Sequence, residues 1–172
     1  MNKTSRILII GSITGVCILL MSLSLVKTGD RAVIYKADSQ LKEHVYREAK
    51  GKSVEQIINY SLRQTASYLQ FSRHNDINNG QANCVGYAQL CAAICNQALA
   101  ANGIKGKAKP VVGYIESKGI NWCKVFKAIS PKASYKNLVK DHDFVELTCG
   151  SKRYYFDPST YDVLGICLLD IT

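Results

Sequence analysis

The stretch CVGYAQLCAAICNQALAAN, Cys84 to Asn102, has the composition of a helix and carries apolar residues around almost its whole circumference. Gly103 follows it, in the position where a left-handed C-cap ends a helix. A helix without a wet face has to be enclosed by the rest of its domain. The remaining elements are therefore expected to pack around this one. With 172 residues, 47% of them hydrophobic, the chain is long enough for one domain with a single core.

The flanking segments read as helices first and strands afterwards. SQLKEHVYREAKG, Ser39 to Gly51, is a short polar helix. A longer amphipathic helix begins at Ser53, where Gln56 completes a capping box, and Val54, Ile57, Ile58, Leu62 and Tyr68 or Leu69 follow the helical period. The polar loop SRHNDINNGQAN leads into the apolar helix. Beyond Gly103, KAKPVVGYIES, NWCKVFKAIS, HDFVEL and KRYYFD are strand candidates, with PKASYKNLVKD as a polar spacer before the last two. This order predicts an α+β domain, a central helix packed on an antiparallel sheet. Its bounds are residues 53–172, preceded by a linker and polar helix over 27–52.

The N-terminus reads differently. Ile7 to Val26 is an uncharged apolar run of about the length that spans a bilayer as a helix. The one small-residue pair near its end is Ser22/Ser24, so an uncleaved transmembrane anchor over 7–26 fits better than a removed signal peptide, with secretion after cleavage as the alternative. Lys3 and Arg6 favour a cytoplasmic n-region over residues 1–6, which places the domain outside the cytoplasm. Cys17 follows Val16 rather than a small residue, so it is a membrane-facing thiol and not a lipid-attachment site. The 22 basic residues less Lys3 and Arg6 leave 20 against 13 acidic ones, a net charge of +7. These charges are scattered from Lys36 to Arg153 without an arginine stripe or aromatic interleaving, so no nucleic-acid partner is expected.

Cys84, Ala88, Cys91 and Cys95 follow steps of four, three and four, which puts the three thiols on one helical face. No CxxC elsewhere completes a tetrahedral metal site, and parallel side chains on a helix do not meet the geometry of a disulfide. Cys91 and Cys95 therefore read as small apolar filler, and neither metal nor cofactor is expected. Cys84 stands apart because it begins the helix. Unpaired backbone N–H groups and the helix dipole there favour a thiolate and can receive an oxyanion.

A thiol nucleophile needs a base. His44 on the polar helix and His74 in the loop read as solvated, whereas His142 opens a strand. A hairpin through TCGSK centred between Cys149 and Gly150 pairs residues whose numbers sum to 299, as those of His142 and Asp157 do. The two would then face each other on one side of the sheet, and loops of two or four residues keep that arrangement. Asp141 and Asp143, neighbours of His142 along the strand, point away. Cys84, His142 and Asp157 are thus the candidate nucleophile, base and orienter.

These residues sit in motifs. NCVGYAQLCAAICNQALAANGIKGKAKPVVGYI, followed by HDFVEL and YYFDPST, resembles the transglutaminase-like branch of the papain-like cysteine enzymes over about Tyr68 to Tyr161. The resemblance implies a papain-like core with Cys84, His142 and Asp157 as catalytic triad and Pro158 in the matching D-P. The chain departs from the family at Ala82, where glycine is usual, and at Phe144, where tryptophan is usual. No tryptophan precedes Cys84, so the oxyanion-hole donor is left open among Gln70, Gln81 and Asn83. Trp122 and Tyr114 read as core residues that could also line a substrate site.

The expectation is a membrane-anchored cysteine hydrolase acting on amide or peptide bonds through an acyl-enzyme. The alternatives are an inactive binding or scaffold module on the same fold and a protein-glutamine cross-linker; no calcium loop supports the latter. Its expected partners are a peptide or protein substrate, with cell-wall peptide among the candidates, and the membrane.

Overall fold

A computed structural model describes residues 23–117, 120–121 and 142–172 of the chain. The apolar helix is α3, Cys84–Ala101, with Tyr87, Ala88, Cys91, Ile94, Cys95 and Ala98 fully buried. Its C-terminus closes as a Schellman motif: Ile104 N–H donates to Leu99 C=O at 3.0 Å and Gly103 N–H to Ala100 C=O at 3.1 Å. Gly103 takes φ 62°, which a side chain would strain. Among the described residues α3 is the one helix long and apolar enough to cross a membrane, and it is the core helix of the domain.

Two helices cover one side of it. α1 spans Ser39–Glu48 and α2 spans Val54–Tyr68. The Ser53/Gln56 capping box of α2 is formed in both directions. Ile57, Ile58 and Leu62 are buried against α3, and Leu69, rather than the exposed Tyr68, completes the stripe. Asn102 ties the three helices together, receiving Lys52 N–H at 3.1 Å and donating to Ala49 C=O at 2.7 Å.

The other side of α3 rests on a sheet ordered β1-β4-β6-β7-β8. Its strands are β1 (Leu23–Asp30), β4 (Gly106–Ser117), β6 (His142–Cys149), β7 (Lys152–Phe156) and β8 (Leu169–Ile171). The minor strands β2 (Gln70–Phe71) and β3 (Gln81–Ala82) pair with each other, and β5 (Ile120–Asn121) pairs with the end of β4. The short α4, Pro158–Leu164, lies between β7 and β8. All pairings in the main sheet are antiparallel. One face, through Ala108, Val145, Leu147 and Phe156, joins the α3 core. The sheet curls until Leu25 N–H of β1 donates to the Asp170 carboxylate of β8 at 2.5 Å, and the curl encloses a second cluster of Leu25, Val111, Phe144 and Leu168.

The architecture is α+β with four helices among the described residues, and three features depart from the sequence reading. First, Leu23–Val26, taken above as the end of the apolar run, belong to β1. A short apolar segment has the same composition at the end of a membrane run and in a half-buried strand, so composition alone misplaced it. Second, residues 27–52, read as a linker and polar helix, do form the polar helix, but the stretch before it is packed rather than a free linker. Lys27–Asp30 continue β1, Gln89 of α3 receives the N–H groups of Ile34 and Tyr35 at 3.0 and 3.2 Å, and Leu41 and Val45 of α1 enter the core.

Third, the β6–β7 turn has Gly150 and Ser151 at its tip, and paired residues sum to 301, as in Val145 with Phe156. The register is two residues from the expected one. A shift of two preserves the facing of every side chain. The NWCKVFKAIS strand beyond Asn121, the PKASYKNLVKD spacer, and residues 1–22 lie outside the described residues.

Candidate active site

Cys84 is the first residue of α3, at a helix start held by two asparagines. Asn83 is the N-cap and its Oδ1 accepts Val85 N–H at 3.0 Å. Asn75 reaches in from the loop, and its Oδ1 accepts Asn83 N–H at 2.9 Å and Gly86 N–H at 3.2 Å. Gly86 permits this approach, since a Cβ there would lie 2.8 Å from Asn75 Oδ1 and 2.6 Å from Ala82 Cβ. The first turn is thereby fixed from outside the helix, and Cys84 is half-buried at its tip.

His142 opens β6 with only 12% of its side chain exposed, and its Nε2 lies 2.5 Å from Asp157 Oδ2. With the observed register Asp157 is one pair beyond Val145–Phe156, so it stands diagonal to His142 on the same face. Diagonal neighbours are within reach of a side chain as long as histidine. Asp157 also begins α4 as its N-cap, with Pro158 in the first helical turn. Its Oδ1 accepts Ser159 N–H at 3.0 Å, Ser159 Oγ–H at 2.8 Å and Thr160 N–H at 3.1 Å, and its Oδ2 accepts Thr160 Oγ–H as well as facing the imidazole.

The electrostatics follow from this cage. Burial would push the fully buried Asp157 carboxyl up, but the His142 charge and the hydrogen bonds from His142 and Thr160 outweigh it, and the carboxyl falls below its ordinary value. Burial would push His142 down; the Asp157 charge and hydrogen bond, joined by a hydrogen bond and charge from Cys84, raise it well above 6.5. The Cys84 side chain therefore acts directly on the imidazole. With Nε2 turned to Asp157, Nδ1 is the nitrogen left for the thiol.

Cys91 and Cys95 are a different kind of thiol. Both are fully buried, and burial pushes Cys91 well up and Cys95 up to about 12. They face Thr65 and Ser61 of α2, whose hydroxyls donate to Ser61 C=O and Ile57 C=O, in the α2–α3 seam. No disulfide joins the five described cysteines, and among the described residues no cluster could hold a metal ion.

Comparison of the chain with family models, curated proteins and solved structures finds no match in any of the three.

The other sequence candidates fall as follows. Asp143 is fully buried and paired with Arg31, whose Nε and Nη2 each lie 2.9 Å from a carboxylate oxygen. His44 lies on α1 and His74 in the exposed loop, while Asp141 and Trp122 are outside the described residues. Asn83 uses its Oδ1 for the cap while its Nδ2 reaches Arg73 C=O at 3.5 Å, and Gln70 and Gln81 are directly opposed in the β2–β3 pair, both exposed.

Several residues were not anticipated. Asp-Pro-Ser-Thr at 157–160 is a legible helix start, with Asp as N-cap and Pro in the first turn, and it would have revealed Ser159 and Thr160 as partners of the carboxylate. Asn75 gave no signal in the sequence. Nor did the Tyr87 hydroxyl, whose single proton is shared between the Asp162 carboxylate on α4 and Leu69 C=O, bracing the cysteine helix against the helix that Asp157 begins.

Proposed function

We propose that the protein is a thiol-dependent acyl-transfer enzyme with a papain-like, transglutaminase-like core, hydrolysing amide bonds through an acyl-enzyme. The observation that carries this reading is the convergence on His142 of the Cys84 side chain and the buried Asp157 carboxylate, 2.5 Å away. A raised imidazole beside a helix-start thiol favours the thiolate–imidazolium pair.

The chemistry runs in two halves. Cys84 Sγ⁻ attacks the acyl carbon, and the resulting oxyanion is received at the N-terminus of α3, with a side-chain amide of Gln70, Gln81 or Asn83 as the further donor. The imidazolium gives its proton to the departing amine, leaving a thioester. His142, now neutral, takes a proton from water as the oxygen attacks; the thioester C–S bond breaks and the acid leaves, with the proton returned to the thiolate–imidazole pair. Asp157 holds the imidazole in the tautomer that both halves need.

The chain is further read as remaining attached to the membrane through its N-terminal apolar run. Cleavage at the Ser22/Ser24 pair would cut after Ser24 and remove the first two residues of β1, of which Leu23 packs on the second cluster.

The test is alkylation with iodoacetamide near neutral pH, read by mass spectrometry of each cysteine peptide, beside amine release from a peptide panel by wild type and Cys84→Ala. Cys84 should react well ahead of Cys91 and Cys95, and Cys84→Ala should release no amine. Equal labelling of the three, or amine release that survives Cys84→Ala, would sink the proposal.

A further inference from the structure

One oxygen of a loop side chain brackets the cysteine. Asn75 Oδ1 accepts Asn83 N–H at 2.9 Å and Gly86 N–H at 3.2 Å, so it holds the backbone just before Cys84 and two residues after it. Gly86 is buried, and without the Asn75 side chain its N–H loses this acceptor. The backbone beside Asn75 is tied in turn to the minor strands. Asp76 N–H donates to Gln81 C=O at 2.7 Å, Gln81 N–H donates to Asp76 C=O at 3.0 Å, and Gln81 stands opposite Gln70. Ser72 N–H donates to Ala82 C=O at 2.8 Å. The candidate oxyanion donors Gln70, Gln81 and Asn83 are therefore carried by one hydrogen-bonded loop. The Asn75 carboxamide is a second joint, beside the peptide bond at 83–84, between that loop and the first turn of α3.

We infer that Asn75 is a positioning residue for acyl transfer, holding the donors of the loop at a fixed offset from the Cys84 sulfur. The inference rests on the proposed thiol chemistry. Asn75 acts through the backbone of residues 83 and 86, not on the substrate.

Two reagents separate this role from thiol reactivity. With iodoacetamide, the thiolate forms its C–S bond at a methylene carbon as iodide leaves, and no charge develops on oxygen. With p-nitrophenyl acetate, the sulfur adds to the carbonyl carbon and the electron pair moves onto the carbonyl oxygen. It returns as the C–O bond to p-nitrophenolate breaks, leaving an acetyl thioester. Both reactions need the thiolate, but only the second passes through an oxyanion. The ratio of acetylation to alkylation at one pH therefore cancels the thiolate population and reports the donors.

The experiment measures both rates on the full chain by mass spectrometry of the Cys84 peptide, with circular dichroism to confirm the fold of each variant. Asn75→Ala should lower acetylation relative to alkylation by about 10- to 100-fold, the cost of a misplacement of about 1 Å. Asn75→Asp keeps an oxygen acceptor at the same reach and should restore most of the ratio, while its charge near the thiol moves the onset of both reactions to higher pH. Asn75→Gln displaces the amide by one methylene and should behave as alanine does, which preserves the comparison with aspartate if the alanine variant does not fold. A ratio unmoved in folded Asn75→Ala or Asn75→Gln, or one that Asn75→Asp does not restore, would overturn the inference and leave the thiol reading standing. Loss of fold in both Asn75→Ala and Asn75→Gln would make the residue purely structural and overturn it as well. Resistance of wild-type Cys84 to both reagents would instead strike the thiol reading, and the inference with it.

Discussion

Replacing Asp157 by Asn separates the two roles that this carboxylate holds. Asparagine is an equally good N-cap, and its Oδ1 can still receive the N–H groups of Ser159 and Thr160, so α4 should form as before. What changes is the group facing His142 Nε2, now an amide donor in place of a carboxylate 2.5 Å away. Two donors cannot share that contact. The imidazole must give up the Nε2 proton and hold one on Nδ1, where it can no longer accept from the thiol. A hydrogen bond to a charged group contributes about 1.5–3 kcal/mol, equivalent to about one to two pKa units on the imidazolium, so alkylation of Cys84 at neutral pH should slow by about 10- to 100-fold. The assay is the pH profile of Cys84 alkylation, with circular dichroism to confirm the fold. An unchanged rate and profile in a folded Asp157→Asn protein would refute the assignment of Asp157 as orienter.

The same variant has a stability signature. Asp157 is lowered from 3.8, so its contribution is present above that value and lost as pH falls through the folded value; His142 is raised from 6.5, so its contribution is present below 6.5 and lost as pH rises through the folded value. The Tm gap between wild type and Asp157→Asn should therefore be widest between about 4 and 6.5 and narrow on either side. Thr160→Val removes the hydroxyl on Asp157 Oδ2 and should cost about 1–3 kcal/mol in denaturant melts as well as slowing alkylation, with Thr160→Ser restoring both. Arg31→Ala leaves the buried Asp143 carboxylate without its bidentate partner and should cost about 3 kcal/mol, most of it recovered in Arg31→Met/Asp143→Leu; an additive double variant would count against the pair. Tyr87→Phe should lower stability by about 1–2 kcal/mol, because the Asp162 carboxylate and Leu69 C=O lose a shared donor; an unaltered Tm would show that the brace is idle.

Much of the fold could be read before the structure because the informative signals were local. The encircling apolar pattern of Cys84 to Asn102, the Ser53/Gln56 box and the glycine at 103 each concern residues within one or two helical turns, and each appears where expected. The His142–Asp157 reading survived a register error because a shift of two leaves facing unchanged. What was illegible is nonlocal. Nothing near Leu23 says that it pairs with Ser117, and nothing near Asn75 says that it will cap a helix eleven residues on. Arg31 with Asp143 and Tyr87 with Asp162 are likewise contacts that only the assembled chain brings together.

The pairing of Leu23 with Ser117 also has a consequence for how the protein is made. β1 is the first of the described segments to leave the ribosome, yet its partner strand ends 94 residues later. At synthesis rates of about 5–20 residues per second, that is roughly 5 to 20 seconds during which a leucine-rich strand exists without its neighbour. The helices around α3 can assemble in that interval. The strand itself must be kept from other pairings until β4 arrives, so the earliest stretch of the domain to be synthesised is among the last to be secured.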